Sequence, residues 1–206
     1  LKFQRCLVHF VVGTEKVSMT TNVDGENTKF FPFNKDLENP LNPNGHKTSY
    51  LWEDILTKDS ILDLIKNFVY LEKEKVEKTN PRTGKLEKKQ KESLIFPRFH
   101  QLRVVRNLKQ KILTGGVGRD YLIQHSTGSG KSLSIGWLSH LLVTLFDKDN
   151  SDKRVFDSII VVTDRKVLDK QINKVLQQLD SRPGVVNKST NNKKLYEFLS
   201  SGKDII

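Results

Sequence analysis

The sequence predicts an α/β fold, a parallel sheet flanked by helices over residues 79–206, preceded by a smaller α+β segment over residues 1–78. Three observations carry this. A glycine-rich run, "TGSGKS" at residues 127–132, stands between a short apolar stretch and a strongly apolar helical pattern. Residues 155–162, "VFDSIIVV", have the near-continuous apolar character of a strand buried on both faces, and a second helical pattern follows them. Strand, loop, helix, strand, helix is the order of a βαβ unit. The N-terminal residues differ: there the apolar positions alternate, as in a hairpin.

In chain order, residues 7–23 alternate apolar and polar on either side of Gly13 and Thr14, which predicts a β-hairpin. Residues 31–48 hold three prolines, several asparagines and a glycine, so they predict a long ordered loop. Residues 49–56 and 60–73 have helical spacing, with Asp59 or Ser60 as N-cap and Leu62, Ile65, Phe68 and Val69 on one face. Residues 73–93 are almost devoid of apolar side chains, which predicts a domain boundary near Asn80 and Pro81.

The second half opens with a helix over 96–113. Leu102, Val105, Leu108 and Ile112 share its apolar face, and Arg103, Arg106 and Lys109 lie off it. Residues 114–120 form a turn, 121–126 a short strand, and a helix runs from Lys131 through Leu133, Trp137, Leu138, Leu141, Leu142 and Leu145. After the strand at 155–162, Asp164 is the expected N-cap of the next helix. A shorter helix at 193–202 and a strand beginning at 203–206 extend the sheet.

With 206 residues, 36% hydrophobic and 29% charged, the chain can build one or two cores, and no run approaches the ~18 apolar residues of a membrane helix. The single Cys6 forms no internal disulfide, and no Cys/His set has zinc spacing, which fits a reducing, cytoplasmic setting. The net charge of +11 favours a polyanionic partner. Residues 73–111 carry thirteen Lys/Arg against four Asp/Glu. Within them, 73–91 reads either as a solvated lysine-rich linker or as a phosphate-attracting surface. The first residue is not Met, no signal-peptide start is visible and the last residues look like a strand cut in its middle, so both ends are expected to be truncations.

"HSTGSGKS" at 125–132 reads as a phosphate-binding loop with a histidine where the G-x-x-x-x-G-K-[ST] pattern has its first glycine. Backbone amides must converge on phosphate, and Gly128 and Gly130 permit that approach around Ser129. Thr127 to Ser132 are the expected nucleotide contacts. Lys131 would reach the β- and γ-phosphates, Ser132 would offer its hydroxyl to Mg²⁺, and the helix start would favour the anion. His125 reads as a packed residue at the strand end. Upstream, "FPRFHQ" resembles the R-x-Y/H-Q element that precedes the motor core of superfamily 2, and the resemblance implies that the Gln101 amide pairs with an adenine edge, with Arg98 and Phe99 beside it. In "VVTDRKVLDKQ", Thr163, Asp164 and Arg165 occupy the place of the superfamily 2 loop that contacts the nucleic-acid backbone, which implies Thr163 and Arg165 as its ligands, or Asp164 only caps its helix and Arg165 is solvated.

The loop is similar to the A-x-T-G-x-G-K-[ST] loops of superfamily 2 helicase-like motors. Taken with "FPRFHQLRVVRNL", "VFDSIIVVTDRKVLDKQ" and the N-terminal blocks "LVHFVVGTEKVSMTTNVDGENTKFFPFNK" and "NPNGHKTSYLWEDIL", the chain resembles the restriction, or motor, subunit of type I restriction–modification enzymes. The resemblance implies a RecA-like first motor domain, truncated, behind the end of a nuclease domain and its connector. It implies ATP and Mg²⁺ as cofactors and translocation on double-stranded DNA, with cleavage away from the recognition site. Methylation and specificity subunits would be partners, and no membrane is involved. The family's PD-(D/E)xK nuclease motif would lie before Leu1, and the Walker B element and second motor domain after Ile206. The E-x-K matches at Glu72, Glu74 and Lys75 read as a solvated face. Two alternatives stand beside this: a non-hydrolysing P-loop module that binds nucleotide and DNA, and another superfamily 2 DNA translocase such as a chromatin-type motor, against which the N-terminal blocks argue.

Overall fold

The computed structural model describes residues 6–79, 86–180 and 184–206, a mixed α/β chain that divides into two compact units, Leu1–His100 and Gln101–Ile206. The expected boundary at Asn80 and Pro81 lies outside the described residues.

In the first unit the expected hairpin forms from β1 (His9–Val12) and β2 (Val17–Thr20), paired antiparallel with His9 opposite Thr20. A two-residue strand, β3 (Phe31–Pro32), pairs with β2. The loop after it is pinned by side-chain amides. Asn34 Oδ1 accepts from the Val17 amide at 2.8 Å, and Asn39 Nδ2 donates to the Glu15 carbonyl at 2.9 Å. A π-helical turn at Leu51–Ile55 leads into α1 (Lys58–Asn67).

Three details of this helical region differ from expectation. The N-cap is Thr57, the helix stops at Asn67, and the buried positions are Leu64 and Phe68 while Leu62 and Ile65 stand 57% and 50% exposed. A ten-residue helix with apolar residues on two stripes does not encode which stripe is buried; packing chooses.

The charged stretch beyond is neither a helix tail nor a structureless linker. It forms β4 (Tyr70–Thr79) and β5 (Leu86–Ile95), an antiparallel ribbon. Tyr70 and Leu71 lie opposite Ile95 and Leu94 at its base. Above them Lys73 faces Glu92, 3.7 Å apart, and Glu74 faces Lys91. Opposite charges across the strands replace the apolar alternation that marks most strands, which is why pattern reading misses it. Glu72, Glu74 and Lys75 of the E-x-K matches therefore sit on β4.

The core of this unit is aromatic. Phe33 meets Phe10 at 5.2 Å and Phe99 at 5.6 Å between ring centroids, and Tyr50 meets Phe99 at 5.3 Å. The buried Tyr50 hydroxyl donates to the Phe33 carbonyl at 2.6 Å. Burial pushes its pKa up from 10.0 to about 12, with a hydrogen bond to Asn39 opposing the rise.

The second unit contains α2 (Phe99–Gly115, its first two residues in the first unit), α3 (Lys131–Val143), α4 (Lys166–Leu179) and α5 (Asn192–Ser200). The expected α2 face is in place, with Leu102 1%, Val105 0% and Leu108 7% exposed. The expected strands are only partly formed. Residues 121–126 form no strand pairing among the described residues, and Leu122 is 96% exposed. Residues 155–162 contribute one bridge, and Ile160 and Val162 are exposed rather than buried on both faces. A parallel strand depends on partners distant in sequence, and here Ile159 and Val186 both bridge in parallel to Ile205. Around that bridge Val143, Ile172, Leu176, Val185 and Ile205 form the core. Asp164 does not cap α4; Arg165 holds the N-cap position in extended conformation.

α3 and α4 touch where α3 has no side chain. A Cβ built on Gly136 would lie 2.7 Å from Leu179 Cδ1 and 2.8 Å from Val175 Cγ1.

Two outcomes follow from this packing. Gly136→Ala forces those side chains off their positions and lowers stability by about 1–3 kcal/mol, read as a lower urea midpoint. For Tyr50 the folded pKa is raised, so its contribution is intact below pH 10 and is lost as pH rises toward about 12. Urea midpoints taken across that window fall less steeply in Tyr50→Phe than in the parent chain.

Candidate functional site

The glycine-rich loop is held open by its own backbone. Ser126 to Ser129 form a turn, with the Ser129 amide 3.3 Å from the Ser126 carbonyl. Gly128 and Gly130 take φ of +76° and +79°, the left-handed region that a side chain disfavours. Gly130 then serves as the N-cap of α3, and its carbonyl accepts the Leu133 amide at 3.0 Å. The amides of Gly128, Gly130, Lys131 and Ser132 take no backbone acceptor among the described residues. Unspent N–H groups at a helix start form an anion-binding concavity, and the helix dipole reinforces it.

Lys131 is exposed and folded back on the loop. Its Nζ donates to the Ser126 carbonyl at 2.8 Å and the His125 carbonyl at 3.2 Å. Ser132, half-buried, follows in the first turn of α3, and Thr127 is exposed at the crest. His125 is half-buried at the loop entrance, as expected of a packed residue. Among the described residues no group of three or more His, Cys, Asp or Glu could hold a metal ion. The Ser132 hydroxyl is the loop's candidate for one.

Gln101 is brought to the loop in a way its sequence position did not reveal. It is 2% exposed, and its Nε2 donates to the carbonyls of Ser129 at 3.2 Å and Gly130 at 3.0 Å. The amide expected at an adenine edge thus donates to the carbonyls of the glycine-rich loop. A Cβ at Gly130 would lie 2.4 Å from that nitrogen, so the glycine is needed for both its φ and its lack of bulk. Arg98 belongs to the first unit, where its guanidinium lies over the Phe31 ring, 4.7 Å from the centroid.

Thr163 and Arg165 are brought together on a groove of about 650 Å³. One wall is the start of α4, with Lys166, Asp169 and Lys170. The other is the segment from Asn187 to Asn191, and the floor includes Val161, Ile172 and Val186. Arg165 Nε lies 3.6 Å from the Asp164 carboxylate. The second wall was missed from sequence, although "NKSTNN" after an apolar stretch has the polar, small-residue character of a ligand loop at a strand end.

Residues 100–206, which contain Gln101, the loop and one wall after the other of this groove, match the family described as SWI2/SNF2 ATPase. The chain belongs to the SWI2/SNF2 ATPase family. This SWI2/SNF2 ATPase chain is also 31% identical over 134 residues to a protein of Methanocaldococcus jannaschii named "Putative type I restriction enzyme MjaVIIIP endonuclease subunit". That match covers 63% of the chain and 11% of the relative, so the chain spans a small part of that protein. No solved structure matches. No helix among the described residues is long and apolar enough to cross a membrane.

Loss of the Gln101 amide loosens the glycine-rich loop itself, the expected nucleotide site. Gln101→Ala lowers affinity for ATP and GTP by a similar factor, measured by titration of each nucleotide. A loss confined to ATP would return the amide to the adenine edge.

Proposed function

We propose that the chain is the junction and first RecA-like motor domain of a type I restriction enzyme's motor subunit. Residues 1–78 would close the nuclease domain and its connector, and residues 79–206 would carry the Walker A half of the ATP site. The observation that carries the reading is the loop with four unspent amides and a lysine beside them, within a SWI2/SNF2 ATPase chain similar to a restriction subunit.

In this reading the amides from Thr127 to Ser132 bind the phosphates of ATP. The Lys131 ammonium exchanges two carbonyls for phosphate oxygens, a stronger charge-assisted contact. Ser132 would hold Mg²⁺ through its hydroxyl, and the ion would supply neutralisation of phosphate charge there. Gln101 sets the loop's shape from behind, and adenine readout by Gln101, beside Arg98, requires the amide to leave the loop carbonyls. Thr163 and Arg165 contact the backbone of double-stranded DNA. The full subunit translocates DNA and cuts it, alongside methylation and specificity subunits, in the cytoplasm.

The SWI2/SNF2 match over 100–206 favours a second reading, another superfamily 2 DNA translocase. The similarity to a restriction subunit over 63% of the chain supports the first. A non-hydrolysing P-loop module is the third.

Lys131→Ala in the full-length subunit lowers DNA-dependent ATP hydrolysis by about two orders of magnitude or more, because a charge aimed at developing phosphate charge is lost. Unchanged turnover removes the phosphate-loop assignment, and absence of any turnover in the parent protein favours the non-hydrolysing module.

A further inference from the structure

The groove beside Thr163 and Arg165 carries more positive charge than those two residues supply. Arg165, Lys166 and Lys170 line one side and Lys188 the other, against two carboxylates, Asp164 and Asp169. Lys166 and Lys170 are exposed and make no ion pair among the described residues. Lys188 is different. Its Nζ donates to Asp169 Oδ2, so a cation from one wall is tied to the first turn of α4 on the other. Both side chains keep substantial exposure, 43% for Lys188 and 37% for Asp169. An ion pair between side chains this exposed contributes little, and a competing anion can replace it.

Two neutral donors of the second wall are committed. The Ser189 hydroxyl donates to the Asn191 carbonyl, and Asn187 Nδ2 donates to the carbonyls of Gly184 and Val185, while Asn191 Oδ1 accepts the Lys194 amide at the start of α5. These bonds hold the second wall in shape, and the basic side chains supply the charge that meets a ligand. Among the described residues no aromatic ring lines the groove, so they offer no platform on which unpaired bases could stack. Mobile cations over a polar rim suit the sugar–phosphate backbone of a duplex, which presents charge and no base face.

We infer that Lys188 is an exchangeable contact within this groove: it trades the Asp169 carboxylate for a phosphate of the duplex backbone. Asp169 acts as an internal stand-in for phosphate: it holds the lysine across the groove and is left behind when the strand arrives. The inference rests on the DNA-motor reading and extends it to residues on both walls.

The test is a double-mutant cycle in the full-length subunit, with duplex DNA affinity measured without nucleotide over a range of salt. Lys188→Ala lowers the salt slope by about one, so between about 50 and about 200 mM salt the parent protein loses about three- to fourfold more affinity than the variant does. Asp169→Asn tightens binding in the parent background and has no effect once Lys188 is alanine, because the carboxylate then has no lysine to withhold. An equal gain from Asp169→Asn in both backgrounds means that Asp169 merely repels DNA, and it overturns the exchange. A salt slope unmoved by Lys188→Ala, in a parent protein that binds duplex DNA, removes Lys188 from the DNA contact while leaving the motor reading standing. Failure of the parent protein to bind duplex DNA sinks both.

Discussion

The left-handed backbone at Gly128 and Gly130 is the constraint on which the second unit turns. Two residues at positive φ lead into α3, where four amides take no backbone acceptor among the described residues. That geometry disfavours side chains, and the loop's carbonyls at 125, 126, 129 and 130 meet side-chain donors. The buried Gln101 amide and the Lys131 ammonium take up those carbonyls. Glycine takes this conformation without strain but is also free to leave it, so a single loop shape needs support from outside. The Gln101 amide at the start of α2 supplies it from 29 residues upstream.

The parts legible in the sequence were those whose physics is local. The hairpin around Gly13, the apolar face of α2, the loop with its glycines and the helix from Lys131 depend on residue type and short spacing, and they stand where expected. Contacts between distant segments were not legible. Nothing in "FPRFHQ" says that Gln101 faces carbonyls at 129 and 130 rather than a base. Asp164 has the right chemistry for a cap, yet the helix begins one residue later, behind Arg165. The extended stretches at 121–126 and 155–162 carry the composition of strands, but strand formation is a property of pairs.

The charged ribbon of β4 and β5 was hidden for a related reason. Reading lysine and glutamate as solvent-loving treats each residue alone, whereas Lys73 and Glu92 stabilise each other only across strands. The basic excess at residues 73–111 is therefore not one uniform surface. Part of it is balanced pair by pair in the ribbon, and part follows on α2. The groove between α4 and Asn187–Asn191 has its own cations from a different stretch of chain.

Gly136 has a mechanical consequence. With no side chain between the helices, α3 rests directly on Val175 and Leu179 of α4, and packed interiors have little compressibility. The glycine loop lies at the start of α3, and the start of α4 carries Arg165 and Lys166. The crossing is a bearing without clearance, with no soft layer between α3 and the side chains of Val175 and Leu179.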